Sequence, residues 1–102
     1  MTNSGDSCQK HPRLDACAHV FRAMGDETRL RILVLLADGP KPAGDIVAEF
    51  DLAQSTVSRH LAVLRQAGLV RSERSQQHII YELCPDVLSE RWKQFVTAMN
   101  HR

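Results

Sequence analysis

Apolar residues recur along this chain at helical spacing in most stretches and at strand spacing in one. Leu14, Cys17, Phe21 and Met24 follow one another at intervals of three, four and three, a single stripe on a helix from about Arg13 to Met24. Gly25 interrupts the stripe, and Asp26 stands where a carboxylate caps the next helix. The core face of that second helix is expected to be Leu30, Leu33, Val34 and Ala37, broadened by Ile32 and Leu36, up to a stop at Asp38-Gly39-Pro40. After Pro42, Ala43 to Phe50 predicts a short helix with Ile46, Val47 and Phe50 inward, and four or five residues later a longer helix runs to Ala67. In the longer one Val57, Leu61 and Leu64 face inward, and two helices across so short a turn make a helix-turn-helix.

Gly68 supplies a helix stop, after which the period changes. Leu69 to Ser75 and Gln77 to Leu83 read as two strands of a hairpin, with Ile79, Tyr81 and Leu83 alternating against His78, Ile80 and Glu82. Pro85 suits the first turn of a last helix, in which Leu88, Trp92, Phe95 and Met99 repeat at four, three and four. The expected fold is mainly α with a β-hairpin wing: four helices, two strands and a fifth helix, a winged helix-turn-helix. Residues 13–102 form that single domain. Residues 1–12 are rich in Thr, Asn, Ser and Gly without a hydrophobic period and read as a mobile N-terminal tail.

Charge sharpens this picture, although the net value of +1 over 102 residues is near neutral. From Asp38 to Asp51 the chain carries Asp38, Asp45, Glu49 and Asp51 against Lys41, whereas from Gln54 to His78 it carries Arg59, Arg65, Arg71 and Arg74 against Glu73. A near-neutral total thus divides into an acidic first half and a basic second half. An α-helix fits the major groove of DNA, and a helix-turn-helix presents its second helix there. Gln54, Ser55, Thr56, Ser58, Arg59 and Arg65 lie on or near the outer side of that helix and are residue types that pair with base edges or phosphates. Arg71, Arg74, Gln76 and Gln77 on the hairpin are placed to reach phosphates and an adjacent minor groove. His60 has two readings, a DNA contact or a hydrogen bond within the domain. Partners follow from this: double-stranded operator DNA and no membrane, because no apolar run approaches the roughly 20 residues that span a bilayer. A cytoplasmic location is expected.

The stripes of the first and last helices have a second use. Leu14, Cys17, Phe21, Leu88, Trp92, Phe95 and Met99 offer more apolar surface than so small a domain covers, and a homodimer packed across a two-fold axis is expected. No set of acid, base and nucleophile converges, so neither catalysis nor a cofactor is expected. Cys8, His11, Cys17 and His19 bring soft ligands together and keep zinc or arsenite binding open. Against it, Cys17 and His19 stand about 200° apart on a helix, and Cys17 belongs to the apolar stripe. Cys84, just before Pro85, lies near a helix N-terminus that lowers a thiol's pKa, which makes it a candidate redox sensor. The small inducer, if any, has no signature here. A winged helix that serves only protein contacts is the rival class, favoured if Glu73 and Glu82 neutralise the arginine surface.

The run Phe21-Arg22-Ala23-Met24-Gly25-Asp26-Glu27-Thr28-Arg29-Leu30-Arg31-Ile32-Leu33, followed by Ser55-Thr56-Val57-Ser58-Arg59-His60-Leu61, Leu64, Ala67-Gly68-Leu69-Val70 and Tyr81, resembles the ArsR/SmtB family of winged-helix repressors. The resemblance covers nearly all of the chain after about residue 14. It implies a homodimer on an operator overlapping a promoter, with the terminal helices forming the interface and the helix Gln54 to Ala67 reading DNA. Many members of that family release DNA on binding a metal or metalloid, but the ligand positions differ here. Asp45 to Phe50 contains no cysteine where thiolate sensors carry a pair, and the last helix offers Glu90, Arg91, Trp92, Lys93 and Thr97, with His101 at its end, where zinc sensors carry carboxylate and histidine. Ala-Gly-Asp-Ile at 43–46 and Tyr-Glu-Leu at 81–83 are closer to the metal-independent, SdpR-like subgroup. Two further departures are Ala53, where relatives carry a capping Ser, and a wing tip without the usual Gly.

Overall fold

A computed structural model describes residues 12–100, and the expectations for the N-terminal tail, Cys8, His11 and His101 lie outside the described residues except at Pro12, which opens the first helix. Helix α1 spans Pro12–Ala23, α2 Glu27–Leu36, α3 Ala43–Ala48 and α4 Gln54–Gln66. A two-residue strand β1, Lys41–Pro42, precedes α3; strands β2 Val70–Ser75 and β3 His78–Leu83 follow α4; and α5 spans Pro85–Asn100. Every predicted helix and both strands are present, within two residues of the expected ends.

The caps explain the boundaries. Asp26 has extended backbone and accepts a hydrogen bond from the Arg29 amide at 3.2 Å, satisfying one of the orphan donors of α2. At the far end of α4, Gly68 takes φ +81 and the chain reverses: Leu69 N donates to Leu64 O and Gly68 N to Arg65 O, each at 3.0 Å. This is a Schellman closure, and its two apolar residues, Leu64 and Leu69, are both buried.

The sheet contains one strand that periodicity does not reveal. β2 and β3 pair antiparallel from Val70↔Leu83 to Ser75↔His78, and β1 adds to the other side of β3 through Lys41↔Tyr81 and Pro42↔Ile80, giving the order β1-β3-β2. Two residues carry no alternation, and Pro42 tolerates the pairing only because β1 is an edge strand. Its effect is to fasten the root of the wing to the start of the helix-turn-helix.

The core gathers Val20 and Ala23 from α1, Ile32, Leu33 and Leu36 from α2, Ile46 from α3, Val57, Leu61 and Leu64 from α4, and Leu69 and Val70 at the entry to the wing. Each large aliphatic side chain buried there stabilises the fold by about 1.5–3 kcal/mol. One expectation is corrected. Leu30, Val34 and Ala37 do not form the core face of α2: they are exposed, Val34 to 73%, and the buried face is Ile32, Leu33 and Leu36. Apolar residues run unbroken from Ile32 to Ala37, so the segment has no polar face to set its phase and packing decides it. In the wing, Ile79 is likewise 38% exposed, because it sits near the tip beyond the reach of the core, whereas Tyr81 and Leu83 pack against it.

Candidate nucleic-acid interface

Helix α4 buries Val57, Leu61 and Leu64, and this fixes which side chains remain outside. Gln54, Ser55, Ser58, Arg59 and Arg65 are all exposed, and Thr56 is half-buried. The N-terminal half of α4 therefore presents a hydroxyl, amide and guanidinium face to solvent. Its first turn contains no acidic residue, and its N-cap, Ala53, makes no side-chain hydrogen bond. The Thr56 amide is bonded to Ala53 O at 3.0 Å, and those of Gln54 and Ser55 are left to solvent or an anion, at the positive end of the helix dipole. Arg65 in the last turn complements the opposite end.

The wing extends the surface. Gln76 and Gln77 close the hairpin between Ser75 and His78, all four exposed. Gln76 takes φ 58, the left-handed conformation that glycine adopts without cost, so the absent glycine is replaced by strain at one residue. Arg71 and Arg74 are both exposed on β2, but they differ. Arg71 faces Glu82 across the strands; its Nε donates to Glu82 Oε1 at 2.9 Å and a terminal guanidinium nitrogen lies 2.7 Å from the same oxygen. The hydrogen bond and charge of Glu82 hold the Arg71 pKa above its ordinary value. Among the described residues Arg59, Arg65 and Arg74 form no ion pair with a carboxylate, so Glu82 neutralises one arginine of the surface and leaves the others available.

His60 is drawn inward. Its ring is half-buried, and Nδ1 lies 3.2 Å from a terminal nitrogen of Arg29. A guanidinium only donates, so Nδ1 accepts and the imidazole is neutral in this geometry. Of the two readings of His60, the hydrogen bond within the domain is the one observed. Arg29 was not among the predicted site residues. Nothing in local spacing links it to a side chain on α4, although its place three residues after the capping Asp26 marks the start of α2.

A family model described as bacterial regulatory protein, arsR family, matches residues 26–72. The transcriptional repressor SdpR of Bacillus subtilis is 40% identical over 72 residues, which are 71% of this chain and 80% of that protein. The chain belongs to the ArsR family. An ArsR-like transcriptional regulator from Rhodococcus superposes with a TM-score of 0.80 at 24% identity, covering 88% of this chain and 85% of that one. A homodimeric winged helix-turn-helix DNA-binding domain from Mycobacterium bovis, described as a possible ArsR-family transcriptional regulator, matches with a TM-score of 0.70 at 27% identity over 99% of this chain and 90% of that one. This ArsR-family chain is thus a transcriptional regulator built on the winged helix-turn-helix that its sequence pattern predicts.

The thiols of this ArsR-family regulator are separated. Cys17 is 2% exposed, and its Sγ donates to Arg91 O of α5 at 3.2 Å. Its expected place in a dimer interface is therefore corrected: the side chain is enclosed within the monomer, between the two terminal helices. His19 is exposed on another side of α1, where its ring nitrogen Nε2 lies 3.3 Å from Gln66 O, so the two do not face one ion. Among the described residues no three His, Cys, Asp or Glu side chains gather to hold a metal, and Cys17 and Cys84 are free thiols. Cys84 occupies the residue before α5, its amide donating to Leu69 O at 2.8 Å and tying the two ends of the wing together.

The remaining predicted interface residues are split by depth. Phe21, Leu88 and Phe95 are half-buried within the monomer, and Phe21 meets Trp92 and Phe95 edge-on with ring centroids 6.3 and 5.5 Å apart. Trp92 and Met99 remain 55% and 53% exposed, and Leu14 is at the margin of exposure. No residue of the 16-residue α5 is fully buried in the single chain. Beside Trp92, an apolar groove of about 780 Å³ opens between Leu30, Val34 and Leu88. No described helix is long and apolar enough to cross a membrane.

Proposed function

We propose that this regulator is a homodimeric repressor that binds an imperfectly palindromic operator, inserting the N-terminal half of α4 into the major groove and laying the wing along the flanking backbone. It acts by binding and not by catalysis. The observation that carries the reading is the two-sided character of α4: its inner face is fully buried, while Gln54, Ser55, Ser58 and Arg59 stand together outside beside an uncapped helix start. Arginine and glutamine on such a face pair with guanine and adenine edges, and hydroxyls with phosphates. Arg74, Gln76 and Gln77 supply the wing's contacts, with Arg71 a weaker one because Glu82 shares its charge.

Two copies are supported by the exposed stripe of α5 and by the homodimeric relative. A 16-residue helix with no fully buried position leaves Trp92 and Met99 to be covered, which a second α5 does across a two-fold axis. The paired α4 helices then meet half-sites about 34–36 Å apart. Purified, reduced protein titrated onto its own promoter fragment and onto a scrambled duplex of equal length tests the reading. Selective, salt-sensitive binding with protection of two half-sites supports it; equal binding to both duplexes removes the sequence-reading role.

A further inference from the structure

Helix α4 is seated on the core by apolar contacts, which set its depth but are weakly directional, so something else must fix its rotation about its own axis. The N-terminal half provides no such tie, since Ala53 makes no side-chain cap. The directional contact is at the middle of the helix. His60 Nδ1 accepts from Arg29, and Arg29 is held at several points: its Nε donates to Ala23 O at 2.6 Å, another terminal nitrogen reaches Arg22 O at 3.4 Å, and its own amide is bonded to Asp26. Arg29 is thus a bracket fixed to the C-terminal end of α1 and the first turn of α2. One of its remaining N–H donors reaches α4. The carboxylate of Asp26 is occupied by the Arg29 amide and lies 3.9 Å from His60 Nδ1, beyond hydrogen-bond distance, so it does not displace the guanidinium.

We infer that His60 is a positioning residue for DNA binding: through Arg29 it locks the rotation of α4 so that Arg59 and Ser58, its neighbours in sequence, face outward. The inference rests on the DNA-binding reading above. The imidazole touches no DNA in this account, because its accepting nitrogen is committed to Arg29 and its ring is half-buried. A second tie acts in the same sense at the C-terminal end of α4. Gln66 O is one of the helix's orphan carbonyls, a carbonyl only accepts, and His19 Nε2 at 3.3 Å on α1 is its donor. Both ties lead from α4 to α1.

Operator affinity and its salt dependence, measured by fluorescence anisotropy for the wild type, His60→Ala, His60→Asn, Arg29→Lys and the double variant Arg29→Lys/His60→Ala, test the inference, with thermal melts of each. Asn places an acceptor oxygen close to where Nδ1 stands. The expected result is about a tenfold loss of affinity for His60→Ala, the worth of one hydrogen bond. His60→Asn recovers most of it, the salt slope is unchanged throughout, and the double variant is no worse than the poorer single one. A His60→Ala protein that binds as wild type overturns the inference. So does a salt slope lowered by about one in both His60 variants, which identifies a direct phosphate contact. Should Arg29→Lys fail to fold, the comparison of His60→Ala with His60→Asn still decides. Failure of the wild type to select its operator counts against the DNA-binding reading itself, and is distinguished by occurring before any substitution is made.

Discussion

Arg71 and Glu82 stand opposite each other across β2 and β3 and share one carboxylate oxygen at 2.9 and 2.7 Å. Both are solvent-exposed, so the pair does little for stability, and its consequence lies in the field of the wing. Glu82→Gln releases the full charge of Arg71 toward DNA. Operator affinity is expected to rise a few-fold at low salt, with the gain shrinking as salt screens it. Arg74→Ala, removing an arginine without a carboxylate partner among the described residues, weakens binding more than Arg71→Ala. Anisotropy titrations at several salt concentrations check both orders.

Ala53 is the N-cap of α4 and offers no side-chain acceptor. Ala53→Ser supplies one, and the expected stabilisation is about 1 kcal/mol. A thermal melt that rises by several degrees supports this, since about 1 kcal/mol moves the midpoint of a domain of this size by roughly 4–8 °C. An unchanged melt shows that the first turn is already satisfied by another group.

Gly68 is held at φ +81, with the nearest side chain, Val87, 3.9 Å from where a Cβ would sit. Space is available and the backbone conformation is the constraint. Gly68→Ala is expected to cost about 1–2 kcal/mol through left-handed strain alone. Denaturant melts measure it, and the Schellman closure at Leu64 and Leu69 implies that the loss loosens the start of the wing as well.

Asp26 accepts the Arg29 amide, and that hydrogen bond, ahead of the nearby Arg29 charge, lowers its pKa below the ordinary value of 3.8. A carboxylate with a depressed pKa stabilises the folded state above its ordinary value, and the contribution is lost as pH falls through the lowered one. Wild type and Asp26→Asn are therefore expected to differ in melting temperature near neutral pH and to converge in acid below 3.8. Parallel melting curves over that range contradict the assignment.

Trp92 is 55% exposed on a helix without one fully buried residue. Trp92→Asp is expected to leave the monomer folded, shift it to half the mass in light scattering, and remove cooperative operator binding. Retention of the dimer places the interface elsewhere.

Much of this is legible in the sequence. The intervals of Val57, Leu61 and Leu64 identified the inner side of α4 and so the outer one, and Asp26 and Gly68 marked helix ends because capping is local chemistry. What escaped were features set by distant packing. The run Ile32 to Ala37 is apolar on all sides, so its phase could not be read. β1 is two residues long, with no alternation to detect. The pairing of Arg71 with Glu82 needs the hairpin register, and the reach of Arg29 to His60 joins residues 31 apart. Cys17 looked like interface because its stripe continues to the surface, yet α5 of the same chain covers it.

The central claim is that the outer side of α4 reads sequence, and the most direct measurement is the ratio of operator to scrambled-duplex affinity after Gln54→Ala, Ser58→Ala and Arg59→Ala are made together. All three side chains are exposed, so the fold is retained. The account predicts that the ratio collapses toward one while weak, salt-dependent binding persists. An unchanged ratio would contradict it and move recognition to another surface.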